Sequence, residues 1–189
     1  MNIPPITLID HWLNPAGSEH LFTELLTTIN WQDETITMFG KSISVPRKIA
    51  WYGDDDATYR YSGITHQPLP WIPAIHKLQR KLNEEHNLTF NSVLCNLYND
   101  GMDYMGWHRD NEPELGPDPI IASVSLGESR RFLFRHILSG EKHEIMLNPG
   151  SLLLMHKGCQ LEWKHSLPKM ARIKRPRINL TFRWVRGEL

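Results

Sequence analysis

An α+β fold organised around a β-sandwich or jelly roll is what this sequence predicts, on three observations. Both helical patterns lie in the first half of the chain, the periodicity becomes that of strands from about residue 90, and those strands are short, numerous and separated by Gly, Pro, Asn and Asp. The first helix is expected to start near Ser18, a residue able to cap it, and to carry Leu21, Leu25 and Ile29 along one stripe. The second should run from about Pro70 to His86, with Ile72, Ile75, Leu78 and Leu82 at helical spacing and Pro70 and Pro73 confined to its start. Each stripe needs a sheet to cover. Strands are expected at 92–98, 120–126, 131–136, 143–147, 151–156, 161–165 and 177–184. The run Asp54, Asp55, Asp56 reads as a solvated loop, and no internal repeat or low-complexity segment interrupts the pattern.

With 189 residues, 40% hydrophobic and 22% charged, the chain can bury one good core, and a single domain over 1–189 is expected. A formal net charge of zero argues against a generic polyanion binder and moves attention to local patches. Two cysteines, Cys95 and Cys159, are too few for a disulfide framework, and the N-terminus lacks the basic region and apolar run of a secretion signal. A reducing, intracellular compartment follows, cytoplasmic or, in a eukaryote, nuclear. No stretch approaches the roughly 20 apolar residues of a membrane span, so a soluble protein, and a monomer, is expected.

The chemistry concentrates in Gly106-Trp107-His108-Arg109-Asp110, in His165, and in the alternation Arg177, Asn179, Thr181, Arg183. Two histidines and one carboxylate on one face of a metal leave the opposite face open, the ligand set of non-heme Fe(II) oxygenases. In a strand, His108 and Asp110 would project to the same side while His165 arrives from a later strand. The same three residue types also make catalytic zinc sites, and a lone His-x-Asp occurs by chance in a chain with ten histidines. In the segment 177–184 the polar positions alternate with Ile178, Leu180, Phe182 and Trp184. Such a strand can simply turn its polar side to water. It can equally face a barrel interior and grip an anionic ligand, since a guanidinium holds a carboxylate through two parallel hydrogen bonds. Asn96 and Tyr98 form a second polar pair, on a strand whose other face is Val93, Cys95 and Leu97.

The ordered set extends well beyond these positions. Val45-Pro46-Arg47-Lys48, Trp51-Tyr52-Gly53-Asp54, Tyr59-Arg60-Tyr61-Ser62-Gly63, Pro70-Trp71-Ile72-Pro73, Asn96-Leu97-Tyr98, His108-Arg109-Asp110-Asn111-Glu112, Ile121-Ala122-Ser123-Val124-Ser125 and Arg177-Ile178-Asn179-Leu180-Thr181-Phe182-Arg183 follow one another in order. From Val45 to Val185 the chain thereby resembles the AlkB-like Fe(II)- and 2-oxoglutarate-dependent nucleic-acid dealkylases, particularly those acting on duplex DNA. The first 30 or so residues match least clearly. The resemblance implies a double-stranded β-helix, a jelly-roll variant, over about 91–185, with N-terminal helices packed on one sheet and a nucleotide-recognition lid and supporting helix over about 30–90. It implies His108, Asp110 and His165 as iron ligands. It further implies Arg177 and Arg183 on the two carboxylates of 2-oxoglutarate, with Asn96, Tyr98, Asn179 and Thr181 completing that pocket. Oxidation of an N-methyl group with O2 would yield formaldehyde and the restored base, with succinate and carbon dioxide as the other products.

The implied substrate is alkylated DNA, with RNA as a further candidate. N1-methyladenine and N3-methylcytosine are cationic near neutral pH, so aromatic faces and a carboxylate should favour them over unmodified bases. By resemblance Tyr61 and His108 sandwich the base, Glu112 meets its edge and Tyr59 contacts the target nucleotide. Taken without that motif they read as a core tyrosine, a solvated acid and a surface tyrosine. A base in a duplex must be flipped out, and Met38 and Phe39, in Thr37-Met38-Phe39-Gly40-Lys41, resemble the finger that fills the gap. The plainer reading is an apolar pair ending a buried strand. Between Trp163 and Gly187 there are Lys164, Lys169, Arg172, Lys174, Arg175 and Arg177 but no acidic residue, a basic loop suited to phosphates or merely solvated, which Arg47 and Lys48 would extend. Two rival functions stay open: a dioxygenase acting on RNA, protein or lipid, and a non-catalytic module that reads damaged DNA.

Overall fold

In a computed structural model of the chain, residues 2–38, 41–61 and 64–186 are described, the side chains of 36–38, 41–44, 59–61 and 64–66 excepted. The elements in chain order are β1 (Ile6–Ile9), α1 (Pro15–Thr28), β2 (Gln32–Met38), β3 (Lys41–Gly53), β4 (Tyr59–Tyr61), β5 (Ile64–His66), α2 (Pro73–His86), β6 (Ser92–Tyr98), β7 (Met105–His108), a 3-10 turn (Pro113–Leu115), β8 (Ile121–Gly127), β9 (Arg130–His136), β10 (Lys142–Leu147), β11 (Leu152–Met155), α3 (Cys159–Glu162), β12 (Trp163–Leu167) and β13 (Arg177–Arg183). Strands β6 to β13 are distributed between two antiparallel sheets, β11-β8-β13-β6 and β10-β9-β12-β7. That distribution is the jelly roll expected for a double-stranded β-helix. β1 extends the first sheet beyond β11, β3 and β2 extend it beyond β6, and β4 pairs with β5 in a separate two-stranded sheet.

The larger sheet owes its two unlike faces to the alternation in β13. Its central position sets Asn179 opposite Asn96 on one side and Ser125 on the other, and Arg177 opposite Tyr98. Alternate residues share a face, so Arg177, Asn179, Thr181 and Arg183 join Asn96, Tyr98, Ser123 and Ser125 in one polar layer. On the reverse face Ile178, Leu180 and Phe182 join Val93, Cys95, Leu97, Val124 and Leu126, and Leu25 of α1, Ile29 just past its end, and Ile75, Leu78 and Leu82 of α2 cover them. Both helices therefore bury their stripes on one sheet, as expected; full burial of each such side chain contributes about 1.5–3 kcal/mol. A second apolar cluster, including Phe132, Phe134, Leu147, Leu153, Met155, Trp163 and Leu167, packs the jelly roll beside the polar layer.

Element ends correct several expectations. α1 starts at Pro15, and its cap is Asn14, whose Oδ1 accepts from the Gly17 N–H at 2.8 Å, while Ser18 is buried inside the first turn. Proline at the first helical position fits because it has no N–H to leave unsatisfied. α2 likewise starts at Pro73, leaving Pro70–Ile72 outside it, and ends at Asn87 in the left-handed region with φ 51°. The strand expected over 161–165 is displaced to Trp163–Leu167 because residues 159–162 form one helical turn. Strands β1, β2, β3, β4, β5 and β7 were not among those expected.

Candidate metal centre and its two pockets

The metal-binding candidates meet where the smaller sheet ends. His108 closes edge strand β7 and lies directly across from His165 on β12, with ring centroids 4.2 Å apart. Asp110 lies beyond the end of β7, which corrects the expectation that His108 and Asp110 share a strand face. Its N–H is therefore outside the ladder, and it donates instead to Gln160 Oε1 on α3 at 3.0 Å. Asp110 Oδ2 accepts from Arg183 Nη2 at 2.9 Å and Nε at 3.3 Å, and Oδ1 faces His108 Nε2 at 3.7 Å. One candidate ligand atom from each of His108, Asp110 and His165 lies within 4.8 Å of the others.

Burial and charge put Asp110 and His165 in the protonation states a cation needs. Asp110 is 3% exposed, and burial opposes its ionisation, but the Arg183 guanidinium, His165, His108 and the Arg183 hydrogen bond outweigh that and hold it well below the usual carboxylate range. His165 is 2% exposed; burial first, then His108 and Arg183, lower it to about 3 against the opposing pull of Asp110, so the imidazole is neutral near pH 7. Its Nδ1 is buried with no hydrogen-bond partner among the described residues. His108 Nδ1 lies 2.9 Å from the Gly106 carbonyl, which can only accept, so Nδ1 donates there and Nε2 is the nitrogen turned toward Asp110 Oδ1. An anionic oxygen and two imidazoles on converging atoms fit a divalent cation such as Fe(II).

Two pockets open on this cluster. The inner one, about 450 Å³ including its opening to solvent, has a lining that includes Asn96, Tyr98, Ser123, Arg177, Asn179 and Thr181 as well as the three candidate ligands and Arg183. The expected polar layer is thus assembled. Arg177 is 1% exposed; Nη2 donates to Ser125 Oγ and Asn179 Oδ1, both at 2.9 Å, while Nε has no partner among the described residues. Asn179 Nδ2 continues the chain to Thr181 Oγ1 at 2.8 Å. Burial, against Tyr98 and reinforced by Arg130, pulls the Arg177 guanidinium down to about 10. The guanidiniums of Arg177 and Arg130 lie 5.5 and 5.8 Å from the Tyr98 ring centroid. Neither has a carboxylate within ion-pair distance among the described residues, so this end of the pocket is suited to an anion.

The outer pocket, about 600 Å³ including its open mouth, shares His108, Asp110, Leu94, Met105 and Arg183 with the inner one and adds Glu34, Arg47, Ile49, Trp51, Arg109 and Glu112. Glu112 Oε2 is buried without a hydrogen-bond partner among the described residues. Arg47 corrects its expected place in an exposed patch: it is 6% exposed and donates through Nε to Asn96 Oδ1 at 2.8 Å. Lys48 pairs with Asp33 at 3.7 Å. The basic run is likewise divided. Lys164 lies on β12 and Arg177 is buried, while Lys169, Arg172, Lys174 and Arg175 occupy the exposed connection to β13. Tyr59 and Tyr61 lie on β4 and Met38 ends β2, but their side chains, and all of Phe39, are outside the described residues. Gln160, Arg130 and Glu34 were not anticipated, since each depends on long-range packing that no local motif signals, and Ser125, within the motif Ile121–Ser125, was given no role there.

Comparisons with known proteins agree with this geometry. A family model described as the 2OG-Fe(II) oxygenase superfamily matches residues 5–183. The DNA oxidative demethylase ALKBH2 of Mus musculus is 42% identical over 89% of this chain and 75% of that protein, and the Homo sapiens protein of that name is 42% identical over 89% and 69%. The alpha-ketoglutarate-dependent dioxygenase alkB homolog 3 of Homo sapiens is 38% identical over 95% of this chain and 66% of its own. Among solved structures, OsALKBH1 shares the fold with a TM-score of 0.63 at 20% identity, covering 97% of this chain and 99% of that one. The donor set, the jelly roll and these matches agree, and the chain belongs to the 2OG-Fe(II) oxygenase superfamily, in its AlkB-like branch.

Proposed function

We propose that this enzyme removes methyl groups from N1-methyladenine and N3-methylcytosine in DNA, with His108, Asp110 and His165 holding Fe(II). The observation that carries the reading is the pair of pockets meeting at one triad, an inner one with an uncompensated buried cation and an outer one with a buried carboxylate oxygen. Two relatives that match most of the chain are named DNA oxidative demethylases. Iron bound there would supply the oxidation, driven by 2-oxoglutarate and O2, that turns the N-methyl group into a hydroxymethyl group able to collapse to formaldehyde and the free base.

The residues of the chain divide the remaining work. Arg177 receives the distal carboxylate of 2-oxoglutarate, with Asn96, Tyr98, Asn179 and Thr181 shaping its pocket. Arg183 holds the Asp110 carboxylate and lies where the other end of the acid approaches. Glu112 offers its buried oxygen to the edge of a cationic base in the outer pocket, with Arg47 on the same wall. Tyr59 and Tyr61 are assigned to the nucleotide, Met38 and Phe39 to the space vacated by a flipped base, and the segment about 30–90 to a recognition lid and its supporting helix beside the core at about 91–185. Lys169, Arg172 and Lys174 are assigned to phosphates. Mass-spectrometric turnover of oligonucleotides carrying either lesion, single- and double-stranded, tests this. Conversion to the unmodified base with equimolar formaldehyde is expected, whereas succinate formation that ignores the methylated base would redirect the reaction to another substrate. Equal duplex repair by wild type and a Met38→Ala, Phe39→Ala variant would remove the wedge.

A further inference from the structure

Asp110 is fixed at two points, and only one of them is its carboxylate. Arg183 grips the side chain, but the backbone of Asp110 lies past the end of β7, where no strand neighbour can accept its N–H. That hydrogen goes to Gln160 Oε1 at 3.0 Å, a contact across 50 residues of sequence. Gln160 is 1% exposed, and its Nε2 donates to Met155 Sδ at 3.5 Å, so the amide orientation that presents the oxygen to Asp110 is the one the sulfur also favours. The side chain belongs to α3, the single turn that leads into β12 and therefore into His165, five positions later. The turn is itself anchored: Gly158 N–H at its start donates to Asp118 Oδ1 at 2.7 Å.

We infer that Gln160 is a positioning residue for the metal centre, holding the Asp110 backbone in register with the segment that carries His165. The inference rests on the reading of Asp110 as a metal ligand. A buried N–H that loses its acceptor will move to find another, and a shift of Asp110 displaces the ligand oxygen relative to the two imidazoles. Outer partners of metal ligands typically change metal affinity by about 10–100-fold when removed. Gln160→Met keeps the length and volume and removes the acceptor, while Gln160→Glu keeps an oxygen at the same reach.

The test is titration of the metal-free protein with Co(II), followed by the visible absorption of the bound ion, alongside thermal melting of the metal-free form. Gln160→Met should bind Co(II) about 10–100-fold more weakly with an altered absorption spectrum and a melting temperature close to wild type, and Gln160→Glu should recover most of the affinity. Should Gln160→Met not fold, Gln160→Ser, too short to reach Asp110, takes its place with the same expectation. Affinity within threefold of wild type in the acceptor-free variant, or an equal loss in Gln160→Glu, overturns the inference. Asp110→Ala separates the two levels: if it binds Co(II) as wild type does, the ligand assignment fails as well, whereas its loss with an unaffected Gln160→Met leaves the ligand assignment standing and removes only Gln160.

Discussion

Replacing Arg177 with Met should make the metal-free protein no less stable and the enzyme much weaker toward 2-oxoglutarate, two effects of opposite sign from one substitution. The guanidinium is 1% exposed, has only neutral oxygens as hydrogen-bond partners and has Arg130 as a nearby like charge. Its depression by burial to about 10 corresponds to roughly 3 kcal/mol of disfavoured positive charge. Removing a buried, uncompensated charge in favour of an apolar side chain of similar volume is often neutral or stabilising by about 1–4 kcal/mol, offset here by the hydrogen bonds that Ser125 and Asn179 lose. The co-substrate supplies the missing carboxylate, and a charge-assisted hydrogen bond contributes about 1.5–3 kcal/mol, or roughly 10- to 150-fold in affinity. Urea unfolding of the metal-free protein and calorimetric titration with 2-oxoglutarate of the Mn(II)-loaded protein read the two quantities separately. A variant that loses several kcal/mol of stability yet binds 2-oxoglutarate like wild type would refute the reasoning, because Arg177 would then be a structural cation.

Three further outcomes follow from particular contacts. Stability of the metal-free protein should fall as pH drops from about 6.5 toward about 3, because the unfolded His165 takes up a proton that the folded one refuses; this proton contributes up to about 1.4 kcal/mol per pH unit, and its contribution should be absent from the melting profile of His165→Phe. Asp110 acts in the same sense at lower pH, since its depressed carboxyl stabilises the fold above the unfolded carboxylate range and that stability is lost on acidification. Gly101→Ala should destabilise the fold by about 1–3 kcal/mol or more in urea unfolding, because the new Cβ would lie 1.9 Å from the Met170 carbonyl oxygen, where the β6–β7 loop meets the basic connection. Glu112→Gln should raise KM for oligonucleotides bearing a cationic methylated base about tenfold or more, with the KM for 2-oxoglutarate unchanged, because only the outer pocket loses its charge.

The parts of the fold that were legible are those in which local pattern and tertiary environment agree. The strand expected at 92–98 is β6, and the one at 177–184 is β13 with its polar face turned inward, since alternation is the direct imprint of one apolar and one polar side. The hairpin of β2 and β3 was not legible as strands: Gln32, Asp33 and Glu34 carry no apolar alternation, and the pairing of Gln32 with Ile49 and Asp33 with Lys48 is set by the sheet they join. Asn14 followed by Pro15 was a readable helix start that Ser18 obscured. In the site, residue types and order were enough to bring His108, Asp110 and His165 together, but not to show how Asp110 is held, because Gln160 lies 50 residues away. Arg47 illustrates the same limit, since a guanidinium beside Lys48 reads as surface until the sheet turns it toward Asn96.

His108, Asp110 and His165 are proposed to form one iron site at which 2-oxoglutarate binds. Anaerobic addition of 2-oxoglutarate to the Fe(II)-loaded protein, monitored by visible absorption, tests it most directly. A charge-transfer band that saturates at one equivalent in wild type, weakens in Arg177→Met and is absent in Asp110→Ala is the predicted result. An unchanged band in Asp110→Ala, or none in the iron-loaded wild type, would contradict the claim.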